Sequence, residues 1–114
     1  MYLLTLPKKN LTEYRKQAAV FAKLFKKHGG LAYREFQGDD LTIKGCPSYK
    51  KLVNVKSNEI IITAMAEFKS RKHRDEVNKK MFTDPAMDKM MEQSAPLFDM
   101  KKMYYGGFAP FISI

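Results

Sequence analysis

The run from Ile60 to Phe68 constrains this chain more than any other stretch. It is the longest apolar and β-branched run in the sequence. One alternate set of its residues is Ile60, Ile62, Ala64, Ala66 and Phe68; the other is Ile61, Thr63, Met65 and Glu67. Both sets are largely apolar, so the run reads as a central strand with each face covered. Ser70 follows as a helix N-cap, and His73, Val77 and Met81 then fall on one helical face at a four-residue spacing. Between strand and helix stand Lys69, Arg71, Lys72, His73 and Arg74. A helix N-terminus is the positive end of the dipole, so this concentration of cations calls for something negative nearby.

The flanking sequence supplies the remaining elements. Met1–Leu6 reads as a strand ended by Pro7. Asn10 and Glu13 have capping-box spacing and open an amphipathic helix, with Leu11, Tyr14, Ala18, Phe21, Ala22 and Phe25 inside. Gly29-Gly30 ends that helix. Residues 31–37 read as a strand nearer an edge, 38–48 as irregular, and 49–56 as a short strand or bulged extension. Asp84-Pro85 breaks the second helical run. A further helical piece carries Met87, Met90 and Met91 inward and ends at Pro96, and Met103–Ile112 forms the last strand. The expected order is strand, helix, strand, strand, helix, strand in a single domain over residues 1–114. That order predicts an α+β, ferredoxin-like antiparallel sheet with the helices on one face.

Two helices cover one sheet face, and nothing else in the chain is expected to cover the other. The first and last strands are also apolar on both sides. A second copy packed through the same face would bury that surface, giving a two-fold dimer. Composition suits a protein without a membrane span: 45% of residues are hydrophobic, and no run approaches the ~20 apolar residues a span needs. The start of the chain lacks the basic region and cleavage site of a secretory signal. A single cysteine, Cys46, leaves no internal disulfide and suits a reducing cytoplasm. The net charge is +9, of which residues 1–57 carry +8 and residues 58–114 carry +1. The early cations lie mostly on one helix and in the Lys44–Lys51 loop, where a solvated face is the plainer reading and an RNA-binding surface the sharper one.

Ser70-Arg71-x-His73-Arg74-Asp75-x-Val77-Asn78, then Asp84-Pro85-x-Met87, then Lys102-Met103-x-Tyr105-Gly106-Gly107-Phe108 resembles the uncharacterised YbaA-like family. The resemblance covers the chain from Leu11 onward. It implies a place in the dimeric α+β barrel superfamily, in which two ferredoxin-like subunits pack sheet against sheet. It implies no particular activity. The family commonly has a tryptophan in the central strand, where this chain has Thr63, Ala64 and Met65.

Among individual residues, His73 is the candidate for a general base or ligand-orienting group. Packing on Val77 with a backbone hydrogen bond is its plainer reading. Arg71 and Arg74 can clamp an anionic group, or pair with Asp75 and Glu76. Tyr33, Tyr104 and Tyr105 are candidate ligand contacts, Tyr104 and Tyr105 pointing to opposite faces of the last strand. No metal-ligand spacing, phosphate-binding glycine loop or RNP-like motif is present, and no cofactor is indicated. The functional expectation is a homodimer holding a small, partly apolar anion between sheet and helices. A cofactor-independent oxygenase or isomerase is the first alternative, and RNA binding through the basic first half is the second.

Overall fold

The structure, a computed structural model, describes residues 1–92 and 96–114. Strand β1 (Tyr2–Pro7) leads through a 3-10 turn into helix α1 (Leu11–Lys27) and strand β2 (Ala32–Gln37). A short helix α2 (Tyr49–Leu52) precedes β3 (Glu59–Glu67), followed by α3 (Arg71–Phe82), α4 (Pro85–Glu92), a second 3-10 turn and β4 (Tyr104–Tyr105). The four strands form one sheet in the order β2-β3-β1-β4, and every neighbouring pair is antiparallel. Strand β3 is paired on both sides, with Ile62 opposite Leu4 on β1 and Thr63 opposite Phe36 on β2. The apolar run 60–68 therefore sits inside the sheet, as its two-sided pattern requires.

The α+β class and antiparallel sheet match the sequence, but the simple six-element order does not describe the chain. Residues 49–52 are helical rather than extended. Ser48 explains the difference: its Oγ accepts from the Lys50 N–H at 3.1 Å and donates to the Leu41 carbonyl at 2.7 Å, the action of an N-cap. The last strand is two residues long rather than ten. One more pair of hydrogen bonds joins Met1 and Gly106, after which Gly107 and Pro110 weaken any continuing ladder. Residues 93–95, where the sequence places the approach to Pro96, lie outside the described residues.

Helices α1, α3 and α4 pack on one sheet face. Leu24, Phe25, Val77, Met81 and Met87 form one buried cluster, with Tyr33, Ala66 and Phe68 against it. Leu4, Leu6, Tyr14 and Ile62 form another, bordered by Leu97, Phe98 and Met103. Burial of side chains such as Val77 and Met81 stabilises by roughly 1.5–3 kcal/mol each. Met91, expected inside, is exposed; α4 turns Met87 and Met90 to the core instead. Asn10 makes no side-chain cap, because its Nδ2 donates to the Leu97 carbonyl at 2.7 Å. Glu13 instead pairs with Lys16 on the surface.

The opposite face carries Leu3, Thr5, Ile61, Thr63 and Met65. Contrary to expectation, part of it is covered within the chain: Thr5 and Ile61 are buried, and Leu41 and Tyr49 from the 38–58 segment stand beside Ile61 and Thr63. The rest is open. Phe36 is 46% and Tyr104 55% exposed.

Candidate functional site

A cavity of about 430 Å³ lies on this face, opposite α1, α3 and α4. Its floor is Leu3, Ile61 and Thr63, and its walls include Phe36, Leu41, Tyr49, Tyr104 and Phe108. Alternation along the strands puts these floor residues here, since the intervening residues Leu4 and Ile62 face the helices. The volume lies within the range of small-molecule sites, roughly 300–1,000 Å³. No Lys, Arg, Asp, Glu or His side chain is among its lining. Thr63 is a polar group on the floor, and its Oγ1 already donates to the Tyr2 carbonyl at 3.0 Å. Such a lining offers mainly shape and apolar contact. The expected position, between sheet and helices, is instead filled by the two core clusters.

On the helix side, where the two clusters meet, four polar side chains form a closed network. The hydroxyls of Tyr2 and Tyr33 are 2.7 Å apart. Tyr33 donates to Oε2 of Glu35, and Tyr14 donates to Oε1. Tyr33 and Glu35 sit two apart on β2 and so share the helix-facing side. Burial pushes the Tyr2 phenol up to about 12, with the Tyr33 hydroxyl opposing that rise and the Glu35 charge adding to it. Burial, and then the hydrogen bond each gives to Glu35, push the Tyr14 and Tyr33 phenols well above the ordinary tyrosine range. These hydroxyls are held as neutral donors around a carboxylate. Tyr33 thus enters a network that sequence reasoning did not assemble, because Tyr2, Tyr14 and Glu35 come from three different elements.

The start of α3 forms a third group. The Ser70 Oγ accepts from the His73 N–H at 3.1 Å, as its position predicts. The His73 Nδ1 accepts from the Lys69 N–H at 3.0 Å, and the ring stands edge-on to Phe68 with centroids 6.1 Å apart. An Nδ1 that accepts from a backbone N–H carries no proton, so the ring proton lies on Nε2. Arg74 donates through Nε and Nη2 to Asp75 Oδ1, at 3.0 and 2.8 Å. Arg71 is exposed. None of His73, Arg71, Arg74 and Tyr33 lines the cavity, whereas Tyr104 and Tyr105 both do. Both of these tyrosines are exposed, so neither is the core residue that strand alternation suggests.

A fourth cluster joins two helix ends. Asp84 is 8% exposed; its Oδ2 meets His28 Nε2 at 2.7 Å and Lys27 Nζ at 3.0 Å. Its Oδ1 accepts from the Ala86 N–H at 2.9 Å. That backbone bond first, then His28 and Lys27, hold the carboxyl well below the usual aspartate range. The signals were a basic last turn of α1 and an Asp-Pro step before α4; only their meeting was hidden.

No helix among the described residues is long and apolar enough to cross a membrane. The family described as "Protein of unknown function (DUF1428)" matches residues 1–100. "Uncharacterized protein YbaA" of Escherichia coli strain K12 is 34% identical over 111 residues, covering 97% of this chain and 93% of that protein. The protein of the same name in Shigella flexneri matches to the same extent.

Proposed function

We propose that this chain, which belongs to the DUF1428 family, is a subunit of a homodimer that holds a small, largely apolar molecule on the sheet face opposite α1, α3 and α4. In this reading each subunit is ferredoxin-like and the pair forms a dimeric α+β barrel. The observation that carries it is the cavity of about 430 Å³ whose lining has no charged side chain, flanked by exposed Phe36 and Tyr104. The antiparallel order β2-β3-β1-β4 supports the subunit architecture. An apolar sheet face of this kind is costly to leave in water and is the sort of surface that partners cover.

The ligand class differs from the anion that the basic residues suggest, because no cationic side chain lines the cavity. Tyr104 and Tyr105 are the ligand contacts in this reading; His73 and Arg74 make local contacts at the start of α3, and Arg71 is exposed there. Turnover is no part of the proposal, since the lining offers no carboxylate, imidazole or thiol for acid–base or nucleophilic work. The exposed thiol of Cys46 supports a reducing compartment such as the cytoplasm.

Titration with Nile red, a neutral apolar fluorophore, tests the cavity. Saturable binding at one site per subunit is expected, and Phe36→Arg is expected to weaken it at least tenfold. Fluorescence that never saturates, or that Phe36→Arg leaves unchanged, would contradict the assignment.

A further inference from the structure

The chain after β4 stays mostly in solvent. Phe108 is 78%, Phe111 93% and Ile112 76% exposed, and residues 107–114 form no helix or strand. The segment Phe108–Ile114 is apolar except for Ser113 and has no charged side chain. It leaves the sheet at a fixed point: Met1 N donates to the Gly106 carbonyl at 2.8 Å, and Gly106 N–H donates to the Met1 carbonyl at 3.0 Å. Gly106 and Phe108 both stand at the rim of the cavity. An apolar segment in water thus begins where an apolar cavity opens.

We propose that Phe108–Ile114 of each subunit lies across the sheet-face cavity of a second copy of this chain, so that two tails close two cavities. This rests on the homodimer reading above and adds what completes the site: the partner's tail. Charge argues for self-recognition. A chain of net charge +9 attracts acidic partners and repels its own copies, yet neither the tail nor the cavity lining carries a charged side chain. Two copies can meet there without bringing lysine side chains together. Area argues the same way. Each phenylalanine buries about 150–250 Å², so Phe108 and Phe111 from two tails supply on the order of 600–1,000 Å². The isoleucines and the sheet face take the total into the ~1,200–2,000 Å² typical of stable interfaces. Seven extended residues reach about 23 Å.

Two measurements separate the tail from the dimer. Phe111→Ser with Ile112→Ser alters side chains that are mostly in water in the lone subunit, so folding is expected to be kept while the dimer dissociation constant rises at least tenfold. For the geometry, two preparations on a Cys46→Ser background are mixed and oxidised, a tagged one with Phe111→Cys and an untagged one with Tyr49→Cys. A disulfide between tagged and untagged chains is expected. If the parent chain is a dimer but the serine variant dimerises as tightly and no mixed disulfide forms, the tail proposal is overturned and the homodimer stands. If the parent chain is a monomer, both are overturned.

Discussion

Glu35 is the residue on which the helix-side polar network turns. Its carboxylate takes hydrogen bonds from Tyr14 and Tyr33, and Tyr33 in turn meets Tyr2. Charge-assisted bonds of this kind contribute about 1.5–3 kcal/mol. Glu35→Gln is therefore expected to lower unfolding stability by about 1–3 kcal/mol in urea, and Tyr33→Phe by about 1–2 kcal/mol through the stranded Tyr2 hydroxyl. A double-mutant cycle between Tyr14→Phe and Tyr33→Phe should be non-additive, since both donate to one carboxylate. The phenols also predict a pH response. Tyr2 is raised to about 12 when folded, so its contribution is complete below the unfolded value near pH 10 and is lost as pH rises from there through about 12. Absorbance at 295 nm should show Tyr2, Tyr14 and Tyr33, three of the six tyrosines, resisting ionisation until the protein unfolds. Free ionisation of all six near pH 10 with the fold intact would contradict the network. Nothing in the sequence pattern marks these four residues as a set. The imperfect alternation of residues 31–37, with Glu35 on the helix-facing side, was the trace they left.

At the scale of the element, helix ends were the most legible parts of the chain because their chemistry is local. Gly29 takes φ +94° after α1. Gly29 N–H donates to the Lys26 carbonyl at 3.1 Å and Gly30 N–H to the Phe25 carbonyl at 2.9 Å, the paired bonds of a Schellman motif. A Cβ at Gly30 would stand 2.1 Å from the Phe25 ring, so Gly30→Ala is expected to cost about 1–3 kcal/mol by overpacking, read by denaturant unfolding. The Ser70 cap was equally plain. Asn10 was not, because its partner Leu97 lies 87 residues away, and no local spacing reveals a competitor at that distance. Asp84 shows both sides: its cap on Ala86 follows from the Asp-Pro step, while its contacts with Lys27 and His28 depend on how α1 and α4 meet. Its lowered pKa means that its contribution is full above the unfolded value near pH 4 and fades as pH falls below that. Asp84→Asn should accordingly lower Tm at pH 6, with the gap to the parent chain narrowing toward pH 2. A gap that stays constant would show that charge plays no part.

For the whole molecule, the two-sided apolar pattern of β3 located the centre of the sheet and singled out its second face. It could not show that the 38–58 segment would cover one end of that face, because Leu41 and Tyr49 reach it from a stretch without periodicity. Nor could it show that the last strand would stop after Tyr105 and leave Phe108, Phe111 and Ile112 in solvent. The basic start of α3 drew attention by charge, and there Asp75 pairs with Arg74 while Ser70 caps the helix. The opposite face carries Arg34 beside Met65 and holds the cavity, whose lining has no charged side chain. In the proposed homodimer two copies share that face. Sedimentation equilibrium at micromolar concentration measures this directly. The parent chain should sediment with twice the 13.2 kDa chain mass, and Phe36→Arg should shift it toward a single chain. A parent chain sedimenting as a 13.2 kDa monomer across that range would contradict it.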